Sequence, residues 1–408
     1  MSREVRVVDA SHPEEVFVAL REALTGSGDA VVPRARHQAN GSGGPAPGGA
    51  DAGDERSGDG GVATTWPSQG DTVAQNVALI IETSGSTGVP KRVALSADAL
   101  LASAAASAGA LGGQGQWLLA LPVHYVAGAQ VLVRSLAAES EPVLYGEGRF
   151  DAERFAEAAR RLTGDLRYTS LVPVQLARLV EGAEAGSREV GAALRAFDGI
   201  LVGGQALTPT LRDRAERLGA RIVTTYGSSE TAGGCVYDGM PIGTTTVRAV
   251  DGLLEISGPV LAEGYLGDPE RTAAAFHEAD GTRWYRTGDL GEVGADGEVA
   301  VFGRSDNVII SGGEKVLLDA VERAVQEVAG FGHAVVVGVP HPEWGQVPVV
   351  VVEGAASLGV SELRRIVAER LGRAAAPDRI LEVARVPRLS SGKPDRIAVT
   401  ALAADREA

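Results

Sequence analysis

Only one cysteine, Cys235, stands in this chain of 408 residues. No intramolecular disulfide can form, which fits a reducing compartment. Positive charge is also short: 38 Lys and Arg face 53 Asp and Glu, a net charge of −15. A nucleic-acid-binding face needs a basic footprint, so this balance argues against that class. It leaves room for local basic pockets that take a phosphate or a carboxylate. No apolar run approaches the ~20 residues that span a bilayer. The opening residues, Met1-Ser2-Arg3-Glu4-Val5, lack the apolar core of a signal peptide. We therefore expect a cytoplasmic chain with small-molecule substrates, no nucleic acid and no integral membrane span. Peripheral membrane contact and a homodimer stay open.

What is present begins with size. The length allows two or more domains, and an apolar content of 44% allows ordinary cores. Residues 14–24 read as an amphipathic helix. Residues 41–61 are mostly Gly, Ala, Pro, Ser and Asp. Such a stretch buries too little apolar surface to offset its ordering entropy, so it reads as a disordered insertion. From Asn76 onward, strand-like runs (77–81, 117–121, 143–145, 168–171, 200–202, 222–225) alternate with helix-like ones (96–110, 124–136, 152–162, 173–180, 209–218). That alternation predicts a mostly parallel, doubly wound α/β arrangement, with ligands at the carboxyl ends of its strands. Between 243 and 301, short strands among Gly-Asp and Asp-Gly turns predict a small antiparallel unit. Beyond Gly303 the order strand, helix, strand, strand, helix, strand predicts a compact α+β domain. The expected boundaries are 1–302 and 303–408.

The stretch that organises the rest is Thr83-Ser84-Gly85-Ser86-Thr87-Gly88-Val89-Pro90-Lys91, placed after a buried strand and before a helix. Glycines admit backbone N–H groups to an anion, hydroxyls add hydrogen bonds, and a lysine adds charge. The P-loop pattern G-x-x-x-x-G-K-[ST] is the first alternative. It fails, because Lys91 follows Pro90 and is itself followed by Arg92.

The stretch closely resembles the signature of the adenylate-forming superfamily of acyl-CoA synthetases, adenylation domains and luciferases. The resemblance continues in that family's order. Tyr226-Gly227-Ser228-Ser229-Glu230-Thr231 resembles its Tyr-Gly-x-[Ser/Thr]-Glu motif. Tyr285-Arg286-Thr287-Gly288-Asp289-Leu290 resembles its ribose motif, Gly303-Arg304-Ser305-Asp306 its hinge, and Ser390-Ser391-Gly392-Lys393 its C-terminal lysine loop. His124-Tyr125-Val126-Ala127-Gly128 followed by Arg134-Ser135-Leu136 narrows the likeness to the o-succinylbenzoate–CoA ligases of menaquinone biosynthesis. So do Tyr168-Thr169-Ser170-Leu171, Gly233-Gly234-Cys235 and Ser311-Gly312-Gly313-Glu314-Lys315. The match covers nearly all of the chain after residue 75, and the 41–61 insertion is not part of it.

The resemblance implies the adenylate-forming fold, with a mobile C-terminal domain. It implies a reaction in two halves, with ATP, Mg²⁺ and CoA. A carboxylate attacks the α-phosphorus of ATP and releases pyrophosphate; the CoA thiol then attacks the acyl carbon and releases AMP. Thr83, Ser84, Gly85, Ser86, Thr87, Gly88 and Lys91 would cradle the outer phosphates. Glu230 and Thr83 would associate with Mg²⁺; taken alone, Glu230 could equally cap a helix. Tyr226, Gly227, Ser229, Gly204 and Gln205 would border the adenine side, although a lone tyrosine also suits a core. Asp289 would hold the ribose, although it also suits a Gly-Asp turn, and Arg304 would make a second ribose or phosphate contact. Lys393 would be the cation of adenylation; on spacing alone it is a solvated loop lysine. Asp306 would be the hinge, and Gly312 and Gly313 would line the path of the CoA arm. Arg134, Ser170 and Ser228 would meet the substrate's second carboxylate. His124 would guard or contact the acid, or be structural. An acyl-CoA ligase for another acid, a carrier-protein loader and an inactive nucleotide-binding homologue are the alternatives.

Overall fold

The computed structural model describes residues 2–35, 67–83, 91–389 and 393–405. The expected insertion at 41–61, the phosphate-loop residues Ser84, Gly85, Ser86, Thr87 and Gly88, and Ser390 to Gly392 of the lysine loop lie outside them.

Four sheets carry the chain. A seven-stranded sheet has a parallel centre: Gln116–Leu119, Arg167–Leu171, Gly199–Gly203 and Ile222–Ser228 run side by side. Strand side chains alternate between faces, and each face has its own core. Trp117, Leu119, Tyr168 and Leu201 pack with Leu100 and Leu132 of the helices Ala97–Leu111 and Val126–Ala137. Leu118, Leu171, Ile200 and Val202 pack with Phe155, Leu176 and Leu194 of the helices Ala152–Ala159, Pro173–Glu184 and Arg188–Ala196. Helices on both faces are what a buried parallel sheet requires. This is the doubly wound arrangement the alternation predicts.

A second, six-stranded sheet is mixed rather than parallel, and it changes the reading of the phosphate stretch. Val77–Thr83 is followed not by a helix but by a strand, Lys91–Ser96, antiparallel to it. Thr83 pairs with Lys91 at the ends of the two strands. The sequence reading missed this strand because Val93 to Ser96 merge with the apolar start of the next helix. That helix begins only where Ser96 caps it, accepting from the Ala99 N–H at 3.3 Å. Thr83 and Lys91, which flank the rest of the phosphate stretch, thus stand side by side on two strands, and the helix starts only at Ala97. The strands Ser2–Asp9 and Ala30–Arg34 complete the parallel part of this sheet and were not foreseen.

The third sheet, antiparallel throughout, spans Thr246–Val250 to Val299–Arg304. Its Asp-Gly turns behave as their composition predicts. Asp251 and Gly252 (φ 52° and 77°), and Asp280 and Gly281 (φ 52° and 71°), each close a two-residue hairpin with both residues left-handed. The fourth sheet holds Val308–Ser311, Glu314–Leu317, Val335–His341, Gly345–Glu353 and Arg379–Val383, with the helices Leu318–Gln326 and Val360–Leu371 against it. Among the described residues no helix is long and apolar enough to cross a membrane.

Candidate active site

The carboxyl ends of the parallel strands Gly199–Gly203 and Ile222–Ser228 gather most of the predicted residues. Gly203 lies opposite Thr225. Gly204 follows in the left-handed region at φ 81°. The point a Cβ on Gly204 would occupy is 3.4 Å from Cε of Lys393 and 3.8 Å from its Nζ. A lysine nearly two hundred residues away therefore reaches the strand ends. Lys393 is exposed as a residue. Its ammonium, however, sits among protein atoms, and desolvation lowers its pKa from the ordinary lysine value.

Glu230 is buried in a single turn, Ser229–Thr231, directly after the strand Ile222–Ser228. Gly227 makes this turn possible: a Cβ there would fall 2.1 Å from the Gly233 carbonyl oxygen. Tyr265, which no motif singled out, donates its hydroxyl to Glu230 Oε1 at 2.8 Å. The ammonium of Lys91 lies 5.4 Å from the centre of the same ring. Tyr265 is also paired through its backbone with Val93 of the phosphate hairpin. One tyrosine thus ties together the predicted metal carboxylate, the phosphate lysine and the strand that carries it. Desolvation and the neighbouring Glu230 raise its pKa, so its hydroxyl stays a donor. Thr83 is half-buried at the strand end opposite Lys91.

Among the described residues no group of three or more His, Cys, Asp or Glu could hold a metal. A single carboxylate such as Glu230 is compatible with Mg²⁺, which takes few protein oxygens and completes its shell with phosphates and water.

A second group surrounds Asp289. Tyr226 donates to Asp289 Oδ2 at 2.6 Å, and Arg304 donates through Nη1 to Oδ1 at 3.2 Å. Antiparallel pairing of Asp289 with Arg304 fixes this contact. Arg304 also grips both oxygens of Asp306, each at 3.2 Å, and donates to the Thr287 carbonyl at 2.8 Å. Burial raises the pKa of Asp289, against the pull of Tyr226 and Arg304. Tyr226 is likewise raised, first by burial and then by Asp289.

The third group is less complete. Arg134 is buried on the helix Val126–Ala137, its guanidinium 4.9 Å from the Trp117 ring centre and bonded to the Tyr237 hydroxyl at 3.3 Å. It has no carboxylate among the described residues, and its Nε has no partner there. Among the described residues the buried Gln130 Oε1 and His124 Nε2 also lack partners. Gln130 is one helical turn from Arg134 and lies against Gly233, where a Cβ would meet its Cγ at 3.4 Å. Gly233 pairs with Ser228. Burial lowers the pKa of His124, which favours the neutral ring. Ser170 and Ser229 are buried, on the strand Arg167–Leu171 and in the Glu230 turn respectively. Gln205 is half-buried beside Gly204.

Gly312 and Gly313 belong to another neighbourhood. They turn the hairpin Val308–Ser311 to Glu314–Leu317, both left-handed at φ 56° and 86°. A Cβ on Gly312 would collide with the Trp344 ring at 2.6 Å.

The chain was compared with known families and structures. The family model described as AMP-binding enzyme matches residues 27–266, and the AMP-binding enzyme C-terminal domain matches 320–393. A probable 2-succinylbenzoate–CoA ligase of Mycobacterium tuberculosis is 40% identical over 341 residues, covering 81% of this chain and 85% of that protein. The o-succinylbenzoate CoA synthetase of Bacillus subtilis, solved in complex with its acyl-adenylate intermediate, superposes with a TM-score of 0.69 at 25% identity, over 82% of this chain and 72% of that one. ATP-bound MatB of Rhodopseudomonas palustris superposes with a TM-score of 0.71 at 22% identity, over 81% and 69%, and shows the fold alone.

Proposed function

The chain belongs to the AMP-binding enzyme family, and from that premise we propose that it is an AMP-forming acid–thiol ligase joining 2-succinylbenzoate to CoA. We place it in the cytoplasm and in menaquinone biosynthesis. The observation that carries the reading is Lys393 against Gly204, a C-terminal cation brought to the strand ends. The 40% identity to a probable 2-succinylbenzoate–CoA ligase supports the choice of acid.

The chemistry starts from repulsion: a carboxylate must approach a polyphosphate. Positioning and fixed positive charge therefore dominate. Tyr226, Asp289 and Arg304 hold the nucleoside end of ATP. Lys91 and the loop before it hold the outer phosphates, and Thr83 and Glu230 would hold Mg²⁺. Magnesium, when bound, neutralises phosphate charge. Tyr265 fixes Glu230 by engaging one of its oxygens. The acid's carboxylate oxygen bonds to the α-phosphorus as the bond to pyrophosphate breaks, and Lys393 stabilises the charge that builds there. In the second half the CoA sulfur bonds to the acyl carbon, the bond to phosphate breaks, and AMP leaves.

Arg134 supplies the cation for the acid's second carboxylate. A buried guanidinium with no internal acid suits an anionic ligand, since a buried charge needs a partner. Asp306 serves as the hinge on which residues 303–408 turn between the two halves.

The test is ATP–pyrophosphate exchange over a panel of aromatic acids, with the thioester identified by mass. Exchange specific for 2-succinylbenzoate with a CoA product supports the reading. Exchange without CoA product points to a carrier loader, and no exchange points to an inactive homologue.

A further inference from the structure

The hinge segment carries contacts that none of the motifs explains. Asp319 and Arg323 lie four residues apart on the helix Leu318–Gln326, on one face. Both reach back across Asp306. Asp319 Oδ2 accepts from the Arg304 backbone N–H at 3.1 Å, and from Asn307 Nδ2 at 2.9 Å. Arg323 donates to the Phe302 carbonyl at 2.7 Å. Gly303 lets the two segments meet: a Cβ there would stand 2.5 Å from Cβ of Asp319. Phe302 and Arg304 precede the hinge, whereas Asp319 and Arg323 follow it. A rotation about Asp306 has to break both bonds.

The same carboxylate also faces the root of the lysine loop. Asp319 Oδ1 is 3.6 Å from Nη2 of Arg396. Arg396 is anchored to both oxygens of Glu322 at 3.1 and 3.0 Å, and to the Val336 carbonyl at 2.9 Å. It stands three residues after Lys393. Leu389 N–H donates to the Lys393 carbonyl at 2.9 Å, and Asp395 N–H to the Pro387 carbonyl at 3.0 Å. A short covalent and ionic path therefore runs from the hinge through Asp319 and Arg396 to the base of Lys393.

We propose that Asp319 and Arg323 form a two-point latch that holds the chain in the arrangement with Lys393 at Gly204, and that opens before the thioester half. They are positioning residues; neither touches the reacting atoms. This inference rests on the ligase reading and on Asp306 as the hinge. A bond made in only one of two arrangements shifts the balance between them by its full strength. Losing the latch disfavours adenylation and leaves thioester formation untouched or faster. A purely structural role for Asp319 would weaken both halves alike.

The experiment compares the wild-type chain with Asp319→Ala, Asp319→Asn, Arg323→Ala and Arg323→Lys. Three quantities are read: ATP–pyrophosphate exchange, thioester formation from preformed 2-succinylbenzoyl adenylate and CoA, and hydrogen exchange at the Arg304 amide. Asp319→Ala is expected to lower the first by about tenfold, the size of a lost charge-assisted hydrogen bond. It should leave the second equal or faster and speed the third. Asp319→Asn keeps an acceptor oxygen for Arg304 and should fall between, and Arg323→Lys should recover part of the loss in Arg323→Ala. Equal losses in both halves, or an unchanged Arg304 amide in Asp319→Ala, overturn the latch. If the wild type exchanges with no acid, the ligase reading fails instead, and the Arg304 amide alone then decides whether the contact holds the hinge.

Discussion

The region around Asp289 and the region around Arg134 are both buried and polar, yet they are built in opposite ways. At Asp289 every partner is already present: Tyr226 and Arg304 each take one oxygen, and Arg304 is itself held by Asp306 and Thr287. At Arg134, among the described residues, the guanidinium has a tyrosine hydroxyl and an aromatic face but no acid, and its own Nε and the buried Oε1 of Gln130, one helical turn away, are unmatched. The first network specifies its own shape without a ligand. The second carries an internal deficit that a ligand with acceptors and donors would fill. A nucleoside common to a whole family suits the first design. A particular dicarboxylic acid suits the second, because unmatched buried groups reject ligands that cannot pair with them.

Lys393 stands outside both regions and gives the largest effect that can test their division of labour. Lys393→Ala is expected to lower adenylate formation by about 10²- to 10³-fold, the scale of losing one preorganised electrostatic stabiliser. Thioester formation from supplied adenylate should change little. Equal damage to both halves would contradict the role assigned to this lysine. Arg134→Met separates the two regions directly. It should raise KM for 2-succinylbenzoate by about 10²-fold, as expected when one partner of a buried charge pair is removed. KM for ATP should stay within about twofold, a change of less than one hydrogen bond. Thermal stability without ligand should be unchanged or higher, because an uncompensated buried charge is gone. A large drop in Tm with an unmoved KM for the acid would make Arg134 a structural arginine.

The same contrast explains what could be read in advance. The parallel core was legible because strand and helix periods alternate cleanly between Trp117 and Thr225, and the Asp-Gly hairpins at 251–252 and 280–281 because their backbone demands are local. The strand Lys91–Ser96 was not legible: its apolar residues run without a break into an alanine-rich helix, and only Ser96 marks the change. Asp289, Arg304 and Glu230 could be singled out because they sit in compact motifs. Tyr265 and Asp319 were not, because what gives them meaning is a partner far along the chain: Glu230 thirty-five residues before the one, Arg304 fifteen before the other. Tyr265 follows a glycine in an unremarkable Gly-Tyr pair. Only the pairing of that short strand with the phosphate hairpin brings its hydroxyl to Glu230.

In the satisfied region a substitution should act on stability as much as on binding. Tyr226→Phe removes the hydroxyl that Asp289 accepts, at a site where burial already raises the Asp289 pKa. The loss should cost about 1–2 kcal/mol of stability, and raise KM for ATP by about tenfold or less. Calorimetry and initial rates check the two together. A change in KM without any change in Tm would mean that this network, too, waits for its ligand.

The smallest effect is a pH dependence, and its sign follows from burial. Desolvation favours the neutral amine of Lys393, so its proton leaves at a lower pH than from an exposed lysine. Adenylation needs the cation. The rate of pyrophosphate exchange should therefore fall on the alkaline side before pH reaches about 10.4, the ordinary lysine value. Lys393→Arg, slower overall, should flatten that limb, because a guanidinium keeps its proton throughout the range. Thioester formation from supplied adenylate should not share the Lys393-dependent part of the fall, since the proposed rotation takes Lys393 away from Gly204 in that half. An alkaline limb common to both halves and unmoved by Lys393→Arg would assign the titration to another group, and would remove the electrostatic argument for placing Lys393 at the α-phosphorus.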